Sequence, residues 1–154
     1  MRLRGQAENT IDSKGRLAVP AKMRAAADVR SGDALVITQL DGCIMLYPLS
    51  AWERKEDEFA AQNQYRPEVR DTIRHMMAQT DDVELDGQGR VVLPRKYLEY
   101  AQIAPGTTAL VLGVLDHVEV WNADVYHARM NAAPEPVETL VERTMVTNAS
   151  LSFR

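Results

Sequence analysis

Two arginines in this chain each follow an aspartate by four residues. Asp12 precedes Arg16, and Asp86 precedes Arg90. A carboxylate and a guanidinium at this spacing can meet across a short turn and fix it. The same guanidinium also suits the paired acceptors of guanine, and a neighbouring lysine suits a phosphate. The two roles are compatible, because an acid beside an arginine can orient it for contact.

Both motifs belong to a longer repeat. The stretch DSKGRLAVP at 12–20 returns 74 residues later as DGQGRVVLP at 86–94. Gly15 and Gly89 stand where a tight turn commonly needs a positive φ, which glycine adopts without steric cost. We therefore expect two copies of one design that share a single core. The predicted turn-fixing residues are Asp12, Gly15, Asp86 and Gly89.

The two copies differ in charge. Lys14 of the first copy becomes Gln88 in the second, and the basic pair Arg2 and Arg4 has no basic counterpart, although residues 95–96 partly restore charge. We therefore expect the first copy to be the main polyanion-binding face and the second mainly to complete the fold and the assembly. The candidate DNA-binding residues are Arg4, Lys14, Arg16, Arg2 and Arg90.

Charge is also segregated along the chain. The net charge is −4, but residues 1–30 hold seven basic and three acidic side chains, so they carry +4 and the remainder carries −8. This pattern is typical of a basic face on an otherwise acidic particle. Chance clustering on a solvated surface is the alternative reading.

Several classes of function receive no support. Cys43 is the only cysteine, which excludes an intrachain disulfide and favours a reducing, cytoplasmic compartment. No apolar run approaches the roughly 20 residues needed to cross a bilayer, so no membrane association is expected. The three histidines lack ligand spacing, and no phosphate-binding or nucleophile motif occurs. We predict no catalytic residue, no metal, no cofactor and no enzymatic activity.

The pattern of elements predicts an α+β fold with a mainly β core and flanking helices. A hairpin is expected over 5–19, and another over 34–47 around Asp41-Gly42, a strong hairpin signal. The second copy repeats strands near 108–121. Short helices are expected after Pro20 and Pro94, over 21–27 and 95–101, because proline suits the first helical position. Further predicted helices begin with a capping box at Ser50 and at Pro67.

The paired motifs DSKGRLAVP and DGQGRVVLP, each followed by a β-rich hairpin, resemble the SpoVT-AbrB swapped-hairpin DNA-binding domains. With the opening RLRG and the segment LYPLSAWE, the chain resembles the MraZ family. The resemblance implies two tandem swapped-hairpin AbrB-like repeats around a pseudo-twofold core, each followed by helices. The expected segments are domain 1 at 5–51, a helical connector at 52–79, domain 2 at 80–123, C-terminal helices at 124–147 and a flexible tail at 148–154.

The resemblance also implies a function. Proteins of this family are bacterial transcriptional regulators that repress their own division and cell-wall gene cluster by binding repeated short boxes in the upstream double-stranded DNA. They associate with the nucleoid and form ring-like homo-oligomers, described as octamers. The arginine on which the family depends falls on Arg16, and Lys14 and Arg4 match neighbouring basic positions. Arg90 and Asp86 match the second motif.

Two other readings stay open. One is an antitoxin-like module of the same fold class, which mainly binds a toxin protein. The other is a structural ring in which both Asp/Arg pairs only hold turns.

Overall fold

The computed structural model describes the backbone of residues 1–152 and the side chains of residues 1–145. The strands are β1 (Gln6–Thr10), β2 (Arg16–Ala18), β3 (Ala34–Leu40), β4 (Cys43–Pro48), β5 (Asp81–Glu84), β6 (Arg90–Val92), β7 (Thr108–Val114) and β8 (His117–Trp121). The helices are α1 (Ala21–Ala27), α2 (Leu49–Ala60), α3 (Pro67–Ala78), α4 (Arg95–Tyr100), α5 (Ala123–Asn131) and α6 (Val137–Ser152). The predicted tail at 148–154 lies outside the described side chains, and it stays a prediction.

The hairpin of β3 and β4 follows the sequence closely. Its strands pair in antiparallel register up to Leu40 and Cys43, which face each other beside the turn. Asp41 and Gly42 form that turn with φ values of 58° and 85°. A two-residue turn whose central residues both have positive φ matches the twist of the flanking strands. The predicted hairpin is confirmed.

The strands form one six-stranded antiparallel sheet and one two-stranded ribbon. The order in the sheet is β1-β7-β8-β4-β3-β5, and the ribbon pairs β2 with β6. Strand β1 of the first repeat therefore pairs with β7 of the second, and β5 of the second pairs with β3 of the first. This exchange of outer strands makes the fold α+β with two swapped repeats, as predicted.

The exchange corrects one local prediction. Residues 5–19 were expected to form a hairpin, but β1 and β2 share no ladder with each other. A single bridge joins Ile11 to Leu17, and Asn9 Nδ2 donates to the Ala18 carbonyl at 2.6 Å. The reason is competition for backbone groups: β7 occupies the pairing edge of β1, and β6 occupies that of β2.

One apolar core serves both repeats. Equivalent residues of the two copies are buried in it together, as the single shared core requires. These pairs are Ile11/Leu85, Leu17/Val91, Val19/Leu93, Met23/Tyr97, Leu35/Ala109, Ile37/Val111, Ile44/Val118 and Leu46/Val120.

The helices confirm the predicted positions and revise two caps. Helix α1 has the predicted bounds, but Pro20 is its N-cap rather than its first residue. Helix α2 begins at Leu49 with Pro48 as its N-cap, so the expected capping box at Ser50 is wrong. Pro48 ends β4 with φ fixed at −55°, and the helix begins directly after it.

The chain divides into two compact units. The first, Met1–Ala123, contains every strand that the structure describes together with helices α1 to α4. The second begins at Asp124 and contains α6 and nearly all of α5. Over the described residues, no helix combines the length and the apolar character that a membrane span requires.

Candidate nucleic-acid interface

The ribbon of β2 and β6 has one buried and one solvent-facing side. Leu17 and Val91 pair with each other and point into the core, where they are 0% and 1% exposed. The residues on either side of them in each strand project to the opposite face, because side chains alternate along a strand. The solvent face therefore consists of Arg16, Ala18, Arg90 and Val92.

The register of the ribbon brings the two arginines together. Arg16 lies opposite Val92, and Ala18 lies opposite Arg90. Arg16 and Arg90 are consequently diagonal neighbours on one face, at a typical separation of roughly 7–8 Å. Their side chains are 33% and 28% exposed.

The first turn is held by one carboxylate. Asp12 Oδ1 accepts the backbone N–H groups of Lys14 and Arg16 at 2.9 and 2.8 Å, and Asp12 Oδ2 accepts Arg16 Nε at 2.6 Å. Gly15 completes the turn with φ at +80°. A Cβ at this position would lie 2.9 Å from the Leu93 carbonyl oxygen, so the close approach also requires glycine.

The second turn repeats this geometry. Asp86 Oδ1 accepts the N–H groups of Gln88 and Arg90 at 2.8 and 2.9 Å, and Asp86 Oδ2 accepts Arg90 Nε at 3.0 Å. Gly89 has φ at +73°. Within the described residues, neither Arg16 nor Arg90 has a partner for its Nη atoms.

These contacts keep both aspartates ionised. Hydrogen bonds from the backbone N–H of Arg16 outweigh desolvation and hold the pKa of Asp12 below its ordinary 3.8. The pKa of Asp86 is likewise held below 3.8, and the hydrogen bond from the Arg90 backbone N–H is the largest cause. Each turn therefore fixes a permanently charged guanidinium by its Nε edge while its Nη atoms stay available for a ligand.

A second basic group lies at the other end of β1. Arg2, Arg4 and Lys22 line a depression of about 260 Å³ with Met23 and Ala26. The N-terminal segment is held there by Leu3, whose N–H and carbonyl bond to Leu115 at 2.7 and 2.9 Å. None of the three cations pairs with a carboxylate among the described residues.

Comparison with known proteins assigns the chain to a family. The family described as "MraZ protein, putative antitoxin-like" matches it twice, over residues 3–75 and 76–148. The chain belongs to the MraZ family. The two MraZ matches each contain one Asp-x-x-x-Arg turn, which agrees with the exchange of equivalent strands described above.

Proteins named "Transcriptional regulator MraZ" are similar over most of their length. One from Syntrophobacter fumaroxidans is 32% identical, with 90% of this chain and 91% of that protein covered. One from Desulfitobacterium hafniense is 37% identical, with 89% and 95% covered. One from Pseudomonas savastanoi pv. phaseolicola is 35% identical, with 84% and 85% covered.

The MraZ fold separates the sequence-predicted site residues into two groups. Arg16 and Arg90 lie side by side on the ribbon, with Lys14 in the adjoining turn. Arg2 and Arg4 lie beyond the opposite end of β1, whose five residues span about 17 Å. The ribbon takes one arginine from each copy, whereas Lys14, Arg2 and Arg4 all come from the first copy. The expectation that the first copy is the main polyanion-binding face stays a prediction.

Two cations lie beside the turn of the other copy, which sequence reasoning did not predict: it noted Arg95 only as part of a partial restoration of charge, and it gave Arg24 no role. Arg95, at the start of α4, lines a depression of about 310 Å³ together with Lys14 of the first turn. Arg24 of α1 lies against Gly89 of the second turn. Neither belongs to the repeated motif, and only the excess of basic residues in 1–30 pointed towards Arg24.

Proposed function

We propose that this MraZ-family chain is a DNA-binding transcriptional regulator that contacts duplex DNA through the solvent face of the β2–β6 ribbon and its two turns. The observation that carries the proposal is the pair Arg16 and Arg90, which are adjacent on one face of the ribbon. The guanidinium of each is bound to its aspartate through Nε, which leaves the Nη atoms for a ligand. A two-stranded ribbon fits the major groove, and arginine Nη atoms match the O6 and N7 acceptors of guanine. The relatives' name, transcriptional regulator, supports the same function.

The remaining basic residues suit phosphates. Lys14 stands in a turn at the edge of the ribbon, where its ammonium can reach the DNA backbone. Arg2 and Arg4 lie about the length of β1 away, so they would contact phosphates that flank the bases under the ribbon. The proposal assigns no catalytic step to the chain.

The finer proposal follows from the family resemblance. The chain represses its own division and cell-wall gene cluster by binding repeated short boxes upstream, in the cytoplasm and at the nucleoid. It does so as a ring-like homo-oligomer, of which an octamer is the expected form. The few cations of one chain bind weakly and with strong salt dependence, whereas linked chains raise the effective concentration for each later contact.

Two measurements test this proposal. Purified protein should bind a duplex from directly upstream of its own gene more tightly than a scrambled duplex of equal length, with an affinity that falls as salt rises. A reporter under the same upstream region should be expressed more strongly when the gene is deleted. Equal binding to both duplexes would exclude the DNA-reading role, salt-independent binding would exclude the phosphate contacts, and an unchanged reporter would exclude repression.

A second candidate is an antitoxin-like protein that binds a toxin. The family description and the exposed Val137, Val141 and Met145 on α6 favour it. In that case, co-expression should relieve the growth arrest caused by a toxin encoded beside the gene, and deletion of α6 should abolish the relief while DNA binding persists. The regulator is preferred because both arginine turns have the same exposed geometry.

A further inference from the structure

The two turns differ in the side chain that packs on their glycine. At Gly15, the position of a Cβ lies 3.6 Å from Leu98 Cδ1, a residue of α4 in the second copy. At Gly89, it lies 2.5 to 2.8 Å from Cζ, Nη1 and Nε of Arg24, a residue of α1 in the first copy. Residues 24 and 98 are equivalent positions of the repeat, so one turn receives a leucine and the other an arginine.

Arg24 is held in this position by the backbone. Its Nε donates to the Val19 carbonyl at 3.0 Å. The N–H of Val19 in turn donates to the Gly89 carbonyl at 3.0 Å, so the arginine and the second turn are fixed to the same residue. Among the described residues, Arg24 has no carboxylate partner, and its Nη atoms have no hydrogen-bond acceptor.

The charge of Arg24 is not needed for packing. Leu98 covers the equivalent glycine of the first turn with an uncharged side chain. The second turn, however, lacks a cation that the first turn has, because Gln88 stands where Lys14 stands. Arg24 therefore brings a positive charge to the turn that has none besides Arg90.

We infer that Arg24 is a phosphate-contacting residue of the second turn, supplied by the first copy in place of the missing lysine. The inference rests on the proposed DNA-binding function and extends it. Each turn then presents one ribbon arginine and one phosphate-binding cation from the first copy, Lys14 at the first turn and Arg24 at the second. The ligand group is a phosphate of the DNA backbone.

The repeat itself supplies the test. Arg24→Leu gives the second turn the same packing residue as the first, and Gln88→Lys then gives it the same cation. The affinity for the upstream duplex is measured from 50 to 200 mM salt for the full-length wild type, Arg24→Leu, and the double variant. Arg74→Leu, on the exposed face of α3, removes one positive charge elsewhere and serves as the matched control.

Arg24→Leu should reduce the slope of log affinity against log salt by about 0.9 for each chain on the DNA. For each chain on the DNA, the loss of affinity between 50 and 200 mM salt should then be about 3.5-fold smaller for Arg24→Leu than for the wild type. The double variant should regain the wild-type slope, and the control Arg74→Leu should have the wild-type slope throughout. Unfolding midpoints in urea identify any variant that is misfolded, and Arg24→Gln, which keeps a donor for Val19, replaces Arg24→Leu in that case.

Three results would overturn the inference. A wild-type slope in folded Arg24→Leu would show that Arg24 only packs. A reduced slope that Gln88→Lys does not restore would show that Arg24 does not take the place of a turn lysine. Absence of salt-dependent binding by the wild type would contradict the proposed function itself. This failure differs from a failure of the Arg24 inference alone, because it is seen in the wild type before any variant is compared.

Discussion

Leu17 pairs directly with Val91, the residue that occupies the same position in the second repeat. Met45 and Glu119, which are also 74 residues apart, face each other in the same way between β4 and β8. A residue can pair with its own equivalent only on a pseudo-twofold axis, so both pairs mark that axis. Arg16 and Arg90, one residue from Leu17 and Val91, must then project to the same side of the ribbon.

The pair on the axis is predicted to dominate stability. Leu17→Ala should destabilise the protein by about 2–5 kcal/mol, because it removes fully buried methyl groups from a core that both repeats share. Val92→Ala, on the exposed face of the same ribbon, should change stability by less than about 0.5 kcal/mol. Urea unfolding measures both, and similar losses for the two variants would contradict a shared core at this position.

His117 lies in a buried charged network. Its Nδ1 contacts Asp116 Oδ1 at 2.9 Å, its Nε2 contacts Glu119 Oε2 at 2.8 Å, and its ring stacks on Tyr47 at 4.7 Å. Lys55 Nζ lies 3.8 Å from Asp116 Oδ2. Burial alone lowers the pKa of His117, but hydrogen bonds to Glu119 and Asp116 and their negative charges outweigh it and raise the pKa above 6.5.

Stability should therefore fall as this imidazolium loses its proton. Since the folded pKa is the higher one, the stabilisation is complete below pH 6.5 and is lost as pH rises through the folded pKa. One proton gives a slope of at most about 1.4 kcal/mol per pH unit. Urea unfolding from pH 5 to 9 should show this loss in the wild type and a flatter profile in His117→Gln. Identical profiles would contradict the network.

The turn aspartates should make stability depend on pH in the acidic range, and in the opposite direction to His117: stability should fall as pH falls. The folded pKa values of Asp12 and Asp86 lie below 3.8, so their stabilisation is present above that pH and is lost as pH falls through the lowered values. Replacing both with asparagine should flatten the acid limb of the stability profile. Asp71→Asn, on an exposed helix, is the control and should leave that limb unchanged.

Gly113 is predicted to hold the N-terminal segment in place. A Cβ at this position would lie 2.6 Å from the Arg4 nitrogen and 2.8 Å from its carbonyl oxygen, so Gly113→Ala should displace that segment. Hydrogen exchange should then show lost protection of the Leu3 amide, and DNA affinity should fall as far as it does in an Arg2→Ala/Arg4→Ala variant. Gly87→Ala, where a Cβ meets open space, should leave the Leu3 amide protected.

Local features of the sequence predicted local features of the fold. The Asp41-Gly42 turn, the bounds of α1 and the spacing of Asp12 and Arg16 all depend on residues close in the chain, and each is found where expected. The family resemblance supplied the exchange of strands. The local sequence pattern alone predicted that β1 pairs with β2, which is wrong. The alternation of apolar and polar residues shows that a segment is a strand, but it does not identify the strand with which it pairs.

The position of Arg24 could not be predicted in the same way. Its contact with Gly89 depends on the strand exchange, which brings α1 of one copy to the turn of the other. No motif at Arg24 or Gly89 indicates this contact. Once the register of β2 and β6 is known, Val19 and Gly89 are adjacent, and the placement of Arg24 follows from its bond to Val19.

The central claim is that Arg16 and Arg90 read bases from the face of the ribbon. Its most direct test is the ratio of affinities for the upstream duplex and a scrambled duplex, measured at one salt concentration for wild type, Arg16→Ala and Arg90→Ala. Each substitution should lower that ratio by roughly 5- to 150-fold, the value of one lost bidentate contact to a base. Lys22→Ala should weaken binding to both duplexes and preserve the ratio. An unchanged ratio in folded, normally assembled Arg16→Ala and Arg90→Ala proteins would contradict the account.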